Sequence, residues 1–339
     1  MKPCSTRSPE RRILILYLAF TGLLILAAVL GLLLGGTRLS VGELLDALLE
    51  GDPSAPAARI FWYVRFPRTL ACLLCGAALA VSGAVIQSVL ANRLASPSII
   101  GVNAGAGLAV TLCGACGLLG GWRVSLFSFL GALLTVLLVS LGARKWGASR
   151  GTVIFIGVAL NSLLGAITDT VITLKPEVGI LHNAFRVGDF SAVTYKGLIP
   201  AAVLILFASA VLLTLTGELS LLVLGEDTAR SLGMRTSLMR VLFLALAAVL
   251  AGSAVSIAGL LSFVGLLVPH AVRRLTGGES RHLLPLSFLL GGGFVTLCDT
   301  LSRCLFAPYE ISVGILLAFL GAPFFLFLLI KGKGGHADA

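Results

Sequence analysis

Charged residues are scarce in this chain of 339 residues: 12% are Asp, Glu, Lys or Arg, whereas 58% are hydrophobic and the mean hydropathy is +1.04. Soluble domains carry roughly 25% charged residues, because their surfaces face water. The shortage excludes a soluble enzyme, a nucleic-acid-binding module and a disordered chain. We therefore expect an all-α polytopic membrane protein in contact with membrane lipid, and interpret the net charge of +10 as a topology signal.

Motifs for ATP binding and zinc catalysis are missing as well. No G-x-x-x-x-G-K-[ST] segment is present to hold ATP phosphates, and no H-E-x-x-H zinc motif occurs. The C-x-x-C pairs Cys72/Cys75 and Cys113/Cys116 lie in apolar runs without a nearby histidine or carboxylate, so we interpret them as ordinary buried cysteines. The sequence predicts no catalytic residue, no metal site and no cofactor bound by this chain.

Apolar runs fill most of the sequence. A membrane-spanning helix needs about 20 apolar residues. The runs cover residues 13–34, 67–90, 97–119, 124–142, 152–173, 197–216, 239–259, 261–272, 284–305 and 310–330. They predict about ten transmembrane helices, with the seventh and eighth separated around Ala258-Gly259.

The distribution of basic residues predicts the orientation. With the N-terminus inside, 16 Lys and Arg residues lie on the cytoplasmic side and 9 outside. Both termini, residues 1–12 and 331–339, are therefore expected in the cytoplasm. Between the first two spans, Ser40 to Glu50 combines a serine cap with regularly spaced leucines and predicts an interfacial helix on the outer face.

Several polar residues interrupt the apolar runs. Such groups are costly in lipid unless they face a cavity, a partner or interfacial water. Gln87, together with Asn161, Ser162 and Thr168 of span five, is a candidate for lining a polar cavity, with hydrogen bonding between helices as the alternative. Asp169 lies within reach of interfacial water.

Two further polar residues are expected to have structural roles. Asp299 precedes Arg303 by four residues, a helical spacing that predicts an ion pair near the outer end of span nine. His270 has no companion ligands nearby and is expected at a helix end or at the interface.

Long motifs in both halves of the chain carry a family resemblance. The segment RFPRTLACLLCGAALAVSGAVIQSVLANRLASPSIIGVNAGAG, starting at Arg65, resembles the FecCD-type permeases of ABC importers for iron-siderophore, haem and cobalamin. The matching positions are Arg65, Pro67, Arg68, Gly76, Ser82, Gly83, Gln87, Asn92, Leu94, Pro97, Gly101, Gly105 and Ala106. Later segments agree too, among them LGEDTARSLGM, SIAGLLSFVGLLVPHAVRRLTGGESRHLLP and PYEISVGILLAFLGAPFFLFLL. Arg93 departs from the pattern, which usually has proline there.

The resemblance implies a single permease domain over residues 1–339 in the plasma membrane, with an inverted repeat of spans two to five and seven to ten. It also implies a second permease copy, identical or paralogous, with the pathway between the two and span five lining it. Two separate ATP-binding cassette subunits would use ATP, and an extracytoplasmic binding protein would deliver the cargo. The sequence does not indicate which of the chelates named above is the cargo.

The resemblance also assigns two contact surfaces. In the cytoplasmic segment 218–238 it implies a coupling helix for the ATPase, and from the residues we expect Asp227 or Thr228 as its N-cap. The implied coupling residues are Gly225, Glu226, Asp227, Ala229, Arg230, Leu232 and Gly233. On the outer face Arg65, Arg68 and Arg303 would receive carboxylates of the binding protein.

One alternative from another class stays open at this point. A proton-coupled secondary transporter of a small solute would use Asp169 or Asp299 as its proton carrier. Inhibition of uptake by orthovanadate favours the ATP-driven importer, and collapse of uptake by a protonophore at constant ATP favours the secondary transporter.

Overall fold

The structure is a computed structural model that describes residues 9–36, 42–43, 56–145, 150–307 and 309–333. All regular secondary structure in these ranges is helical. The helices are α1 (Pro9–Leu33), α2 (Pro56–Ile60), α3 (Phe66–Val89), α4 (Val102–Ala115), α5 (Trp122–Lys145), α6 (Arg150–Leu174), α7 (Val178–Val187), α8 (Tyr195–Thr214), α9 (Thr216–Leu224), α10 (Glu226–Ser231), α11 (Thr236–Ala258), α12 (Val264–Thr276), α13 (Ser280–Cys304) and α14 (Val313–Lys333). A π-helical turn, Phe61–Arg65, joins α2 to α3.

Seven helical segments in the described part of the chain are long and apolar enough to cross a membrane. They are α1, the continuous stretch from α2 to α3, α5, α6, α8, α11 and α13. Helices α4 and α14 are shorter apolar helices, and α12 is a further short one. Each predicted apolar run therefore overlaps a helix. The predicted interfacial helix at Ser40 to Glu50 lies outside the described residues except for residues 42–43.

The break between α11 and α12 falls where the sequence predicts it. Helix α11 ends at Ala258, and Gly259 has a φ of 70°. Phe263 has a φ of 64°, a left-handed conformation that is uncommon outside glycine, and α12 begins at the next residue. The two left-handed residues stop one helix and redirect the chain into the next.

Helix α3 lies at the centre of the helix bundle and packs against α11, α12 and α13. Glycines make this packing close. A Cβ on Gly83 would collide with the carbonyl of Gly265, and a Cβ on Gly76 would collide with the carbonyl of Gly291. Small residues at these crossings let two helix backbones approach, which is how dispersion forces hold helices together in lipid.

Helix α6 presents a wide apolar face to its surroundings. Phe155, Leu163 and Leu174 on this helix are 77%, 57% and 76% exposed. An exposed apolar surface of this kind faces lipid or another protein. The face therefore suits the bilayer or a second copy of the chain.

Candidate functional site

The N-terminal end of α3 and the C-terminal end of α13 are joined by a buried ion-pair cluster centred on Arg68. Its Nε and Nη2 atoms donate to Asp299 Oδ1 at 3.1 and 3.0 Å, and its Nη1 donates to Glu310 Oε2 at 2.8 Å. Asp189, in the loop after α7, lies 3.7 Å from the same guanidinium. One arginine thus connects two helices and two loops.

Asp299 is fully buried and shared by two arginines. Besides Arg68, it accepts an ion pair from Arg303 Nε at 3.0 Å, which confirms the predicted pair. Breaking a buried ion pair from one side is strongly destabilising. Asp299 is therefore part of the scaffold that joins α3 and α13.

Two of the arginines also satisfy the end of α1. Arg65 Nη1 donates to the carbonyls of Leu32 and Leu33 at 3.0 and 2.6 Å, and Arg303 Nη1 donates to Leu34 O at 3.2 Å. The last carbonyls of a helix lack partners within the helix and carry a partial negative charge. The guanidinium groups supply both the hydrogen bonds and the opposite charge.

The three predicted docking arginines are therefore brought together, but they are buried. Arg65, Arg68 and Arg303 are 3%, 4% and 3% exposed, and each one bonds to groups of its own chain. Docking through them stays a prediction. Sequence reasoning missed Glu310, although it lies in the family-like segment PYEIS, and it also missed Asp189.

The predicted coupling segment folds into the short helix α10. Gly225, with a φ of 122°, is its N-cap, so the expectation that Asp227 or Thr228 caps the helix is wrong. The reason is that the helix begins at Glu226, two or three residues earlier than those caps would allow. Gly225 before it accommodates a backbone conformation that other residues rarely adopt. Gly233, with a φ of 85°, follows the helix at its end.

Glu226 ties α10 to the transmembrane helix α11. It forms an ion pair with Arg240, which is 4% exposed, and accepts a hydrogen bond from Arg230 Nη2 at 3.2 Å. Arg230 Nε also reaches Thr236 Oγ1, at the start of α11, at 3.2 Å. Sequence reasoning missed Arg240, because nothing in the motif pattern shows that its side chain turns toward α10.

The outward-facing residues of the same segment differ from the anchoring ones. Ala229 is buried, whereas the Asp227 side chain is fully exposed and Leu232 is 64% exposed. The segment thus exposes one acidic and one apolar side chain on a helix that is fixed from behind.

The predicted pathway residues occupy different environments. Gln87 is buried, donates through Nε2 to Gly265 O at 3.1 Å and accepts a hydrogen bond from Arg273. Asn161 Nδ2 donates to Ser98 O at 2.9 Å and so links α6 to the loop before α4.

Thr168 and Ser162 differ in exposure. The Thr168 hydroxyl is buried and bonds to Leu164 O within its own helix, while Ser162 is exposed on the open side of α6. A contact between helices explains Gln87, and a contact between a helix and a loop explains Asn161. Lining of the pathway stays a prediction for all four residues.

The amphipathic helix α7 is attached to α4 through His182. The Thr111 hydroxyl donates to Gly107 O at 2.8 Å, and it lies 2.9 Å from His182 Nδ1. Because the hydroxyl has a single hydrogen, Nδ1–H of the imidazole donates to Thr111. Burial, together with the charge of Arg186, lowers the pKa of His182.

The comparisons with known proteins agree with this architecture. A profile of the FecCD transport family matches residues 23–331. The chain is 35% identical to the iron-uptake system permease protein FeuB of Bacillus subtilis over 92% of this chain and 94% of that relative. It is 39% identical to the cobalamin import system permease protein BtuC of Halobacterium salinarum over 78% of this chain and 72% of that relative.

A solved structure shows the same fold. It is described as a metal-chelate type ABC transporter in an inward-facing conformation and superposes with a TM-score of 0.83. The two chains are 32% identical, and the match covers 94% of this chain and 99% of the other. By its sequence and its helical fold, the chain belongs to the FecCD transport family.

Proposed function

We propose that this chain is the permease subunit of an ATP-driven importer that moves a metal chelate across the plasma membrane. The observation that carries the proposal is α10, a short charged helix held against α11 by the Glu226–Arg240 ion pair. The helix is anchored to α11 on one side, and Asp227 and Leu232 are exposed. This arrangement suits contact with an ATPase subunit whose movement is transmitted to the transmembrane helices.

The proposal includes the topology inferred from the sequence. Ten spans, with both termini in the cytoplasm, place α10 inside and the Arg68 cluster outside. Spans two to five and seven to ten then begin on opposite sides of the membrane, as an inverted repeat requires. The break after α11 and the short helix α12 support this count of spans.

The proposed partners follow from the functions that the chain lacks and from the surfaces that it exposes. Its sequence has no P-loop, so two ATP-binding cassette subunits would hydrolyse ATP, and the chain itself needs no cofactor. The exposed apolar face of α6 suits a second permease copy, with the pathway between the copies. An extracytoplasmic binding protein would deliver the chelate to the outer face.

The proposed docking site on the outer face is the cluster of Arg65, Arg68 and Arg303. Glu310 is the most exposed carboxylate of this cluster, and its side chain is 39% exposed. A carboxylate of the binding protein would reach Arg68 by replacing Glu310. This arrangement makes docking a competition between two carboxylates for one guanidinium.

Uptake into proteoliposomes containing the complete transporter tests the proposed function. ATP-dependent uptake of a radiolabelled metal chelate should be blocked by orthovanadate and should persist when a protonophore is added at constant ATP. The reverse pattern would favour a proton-coupled transporter. Because Asp299 is fully buried between two arginines, Asp169→Asn is the variant that should then abolish uptake.

A further inference from the structure

A small groove with a volume of about 140 Å³ lies between α12, α14 and the loop that follows α3. Its walls are mainly apolar and include Leu266 and Leu267 of α12 and Phe324 and Phe325 of α14. The polar lining comes from Arg93 and His270. In the proposed topology both residues lie toward the cytoplasmic side.

Positive charge gathers at this groove. The charges of Arg93, Arg274 and Arg273 all act on the His270 imidazole. Arg273 points away from the groove, since its Nη2 donates to Ala84 O at 3.1 Å and to Ser88 Oγ at 3.0 Å.

Arg93 and Arg274 are exposed. Among the residues that the structure describes, neither forms an ion pair with a carboxylate. Excess positive charge in an apolar recess attracts anions more strongly than the same charge on an open surface.

The loop that carries Arg93 also contacts α6. Asn161 Nδ2 donates to Ser98 O in that loop at 2.9 Å, and a Cβ on Gly157 would collide with the carbonyl of Ile99. Helix α6 corresponds to predicted span five, which the family resemblance assigns to the pathway, and α14 corresponds to its repeat counterpart, span ten. The groove therefore lies at the inner end of the proposed pathway.

We infer that Arg93, supported by Arg274 and His270, forms an anion-binding site at the cytoplasmic exit, and that the cargo is a metal chelate with negative charge. An arginine fork holds a carboxylate through two parallel hydrogen bonds. The volume of the groove suits one anionic arm of a chelate, with the remainder in the pathway. The inference rests on the proposed function and narrows its substrate class.

Equilibrium binding to the purified chain in nanodiscs of phosphatidylcholine tests the site. The probes are radiolabelled iron(III)–citrate, which is anionic, and a neutral iron(III)–tris(hydroxamate) chelate. Arg93→Gln should weaken binding of iron(III)–citrate about fivefold and leave binding of the neutral chelate unchanged. Arg93→Lys should keep most of the affinity, because it keeps the charge.

Arg235→Gln is the matched control, since Arg235 is also an exposed arginine on the proposed cytoplasmic side but does not line the groove. It should leave both affinities unchanged. Equal effects of Arg93→Gln and Arg235→Gln, or equal effects on the two chelates, would overturn the inference.

A second experiment distinguishes a chelate-binding site from a lipid-binding site. If phosphatidylglycerol in the nanodisc displaces iron(III)–citrate from the original chain, and Arg93→Gln removes this displacement, the groove is a lipid site and the inference is wrong. The proposed function is tested independently by orthovanadate. Vanadate-sensitive uptake with the same chelate preference in Arg93→Gln would overturn the anion site alone, whereas uptake that is insensitive to orthovanadate would overturn the importer.

Discussion

Arg68 of α3 and Asp299 of α13 form a buried ion pair in which two nitrogens of the guanidinium contact the carboxylate at 3.0 and 3.1 Å. Asp299 is fully buried, and Arg303 also contacts it. The pair joins the N-terminal end of α3 to the C-terminal end of α13. The pair acts as a structural clamp between the two helices. Variants that break it therefore test the stability of the fold.

Asp299→Asn should destabilise the fold, because it leaves two buried arginines without their shared counter-charge. Breaking a buried pair from one side costs about 3–5 kcal/mol. Thermal unfolding of the purified chain in detergent measures the loss. Glu310→Gln is the control and should cost about 1 kcal/mol or less, since this carboxylate is partly exposed. Similar unfolding temperatures for the two variants would contradict the clamp.

Removing the anchor of α10 should uncouple ATP hydrolysis from uptake. Arg240→Met deletes the charge that holds Glu226, so we expect uptake per ATP hydrolysed to fall by about tenfold, which corresponds to roughly 1.4 kcal/mol of coupling. Arg235→Met is the matched control, because Arg235 is an exposed arginine directly before α11.

The double variant Glu226→Arg/Arg240→Glu restores the opposite charges and should recover part of the coupling. If uptake per ATP is unchanged in Arg240→Met, α10 does not transmit force through this pair.

The proposed orientation predicts a labelling pattern for single cysteines in a background without the native ones. Cysteines at Ser149 and Ser237 should react with an impermeant thiol reagent only from the cytoplasm. A cysteine at Ser54 should react from outside, whereas Ser280 and Val178 are both 2% exposed and serve as unreactive controls. Ser237 and Ser280 lie near the starts of α11 and α13, while Ser54 and Ser149 are outside the described residues. Labelling of Ser237 from outside would overturn the orientation.

Acidification should loosen α7. The pKa of His182 is lowered in the fold, by burial first and by Arg186 second, while Asp169 opposes the shift. The unfolded segment therefore binds the proton more readily, and stability is lost as pH falls below about 6.5. The intrinsic rate of amide exchange falls as the pH falls, so the protection factors of the amides in Val178–Val187, which are corrected for that rate, are the quantity to compare. They should decrease as the pH is lowered from about 7.5 to about 5.5.

His182→Gln should flatten this dependence. His282→Gln, at a histidine that contacts Tyr17 and Glu279 elsewhere in the bundle, should leave it unchanged. The same pH dependence in all three proteins would rule out His182 as its source.

The sequence predicts the helices well, because hydropathy and helix length report directly on the bilayer. It predicts the Asp299–Arg303 pair because both residues share one helix, where the spacing fixes their distance. It does not predict that Arg68 meets Glu310 or that Glu226 meets Arg240, because these contacts depend on packing between segments distant in sequence or on how a loop folds back. The predicted N-cap of α10 is wrong for a local reason. Capping propensity favours Asp and Thr, whereas the backbone φ of 122° at the observed N-cap favours glycine.

Docking of the binding protein is best tested at Glu310, because charge reversal at Arg65 or Arg68 would also disrupt buried contacts. If a carboxylate of the binding protein engages Arg68, Glu310 competes with it, and Glu310→Gln should strengthen association with the reconstituted transporter by about threefold to tenfold. Glu177→Gln is the matched control, since Glu177 is an exposed outer carboxylate that makes no ion pair with Arg68.

The gain in affinity should shrink at high salt, because screening weakens the new contact at the partly exposed edge of the cluster. Arg68→Lys adds a second test, since it keeps the charge but loses the fork that holds two carboxylates at once. It should lower the affinity of both the original chain and the Glu310→Gln variant. An affinity that Glu310→Gln leaves unchanged, at low and at high salt, would mean that the arginine cluster only holds α1, α3 and α13 together and that the binding protein docks elsewhere.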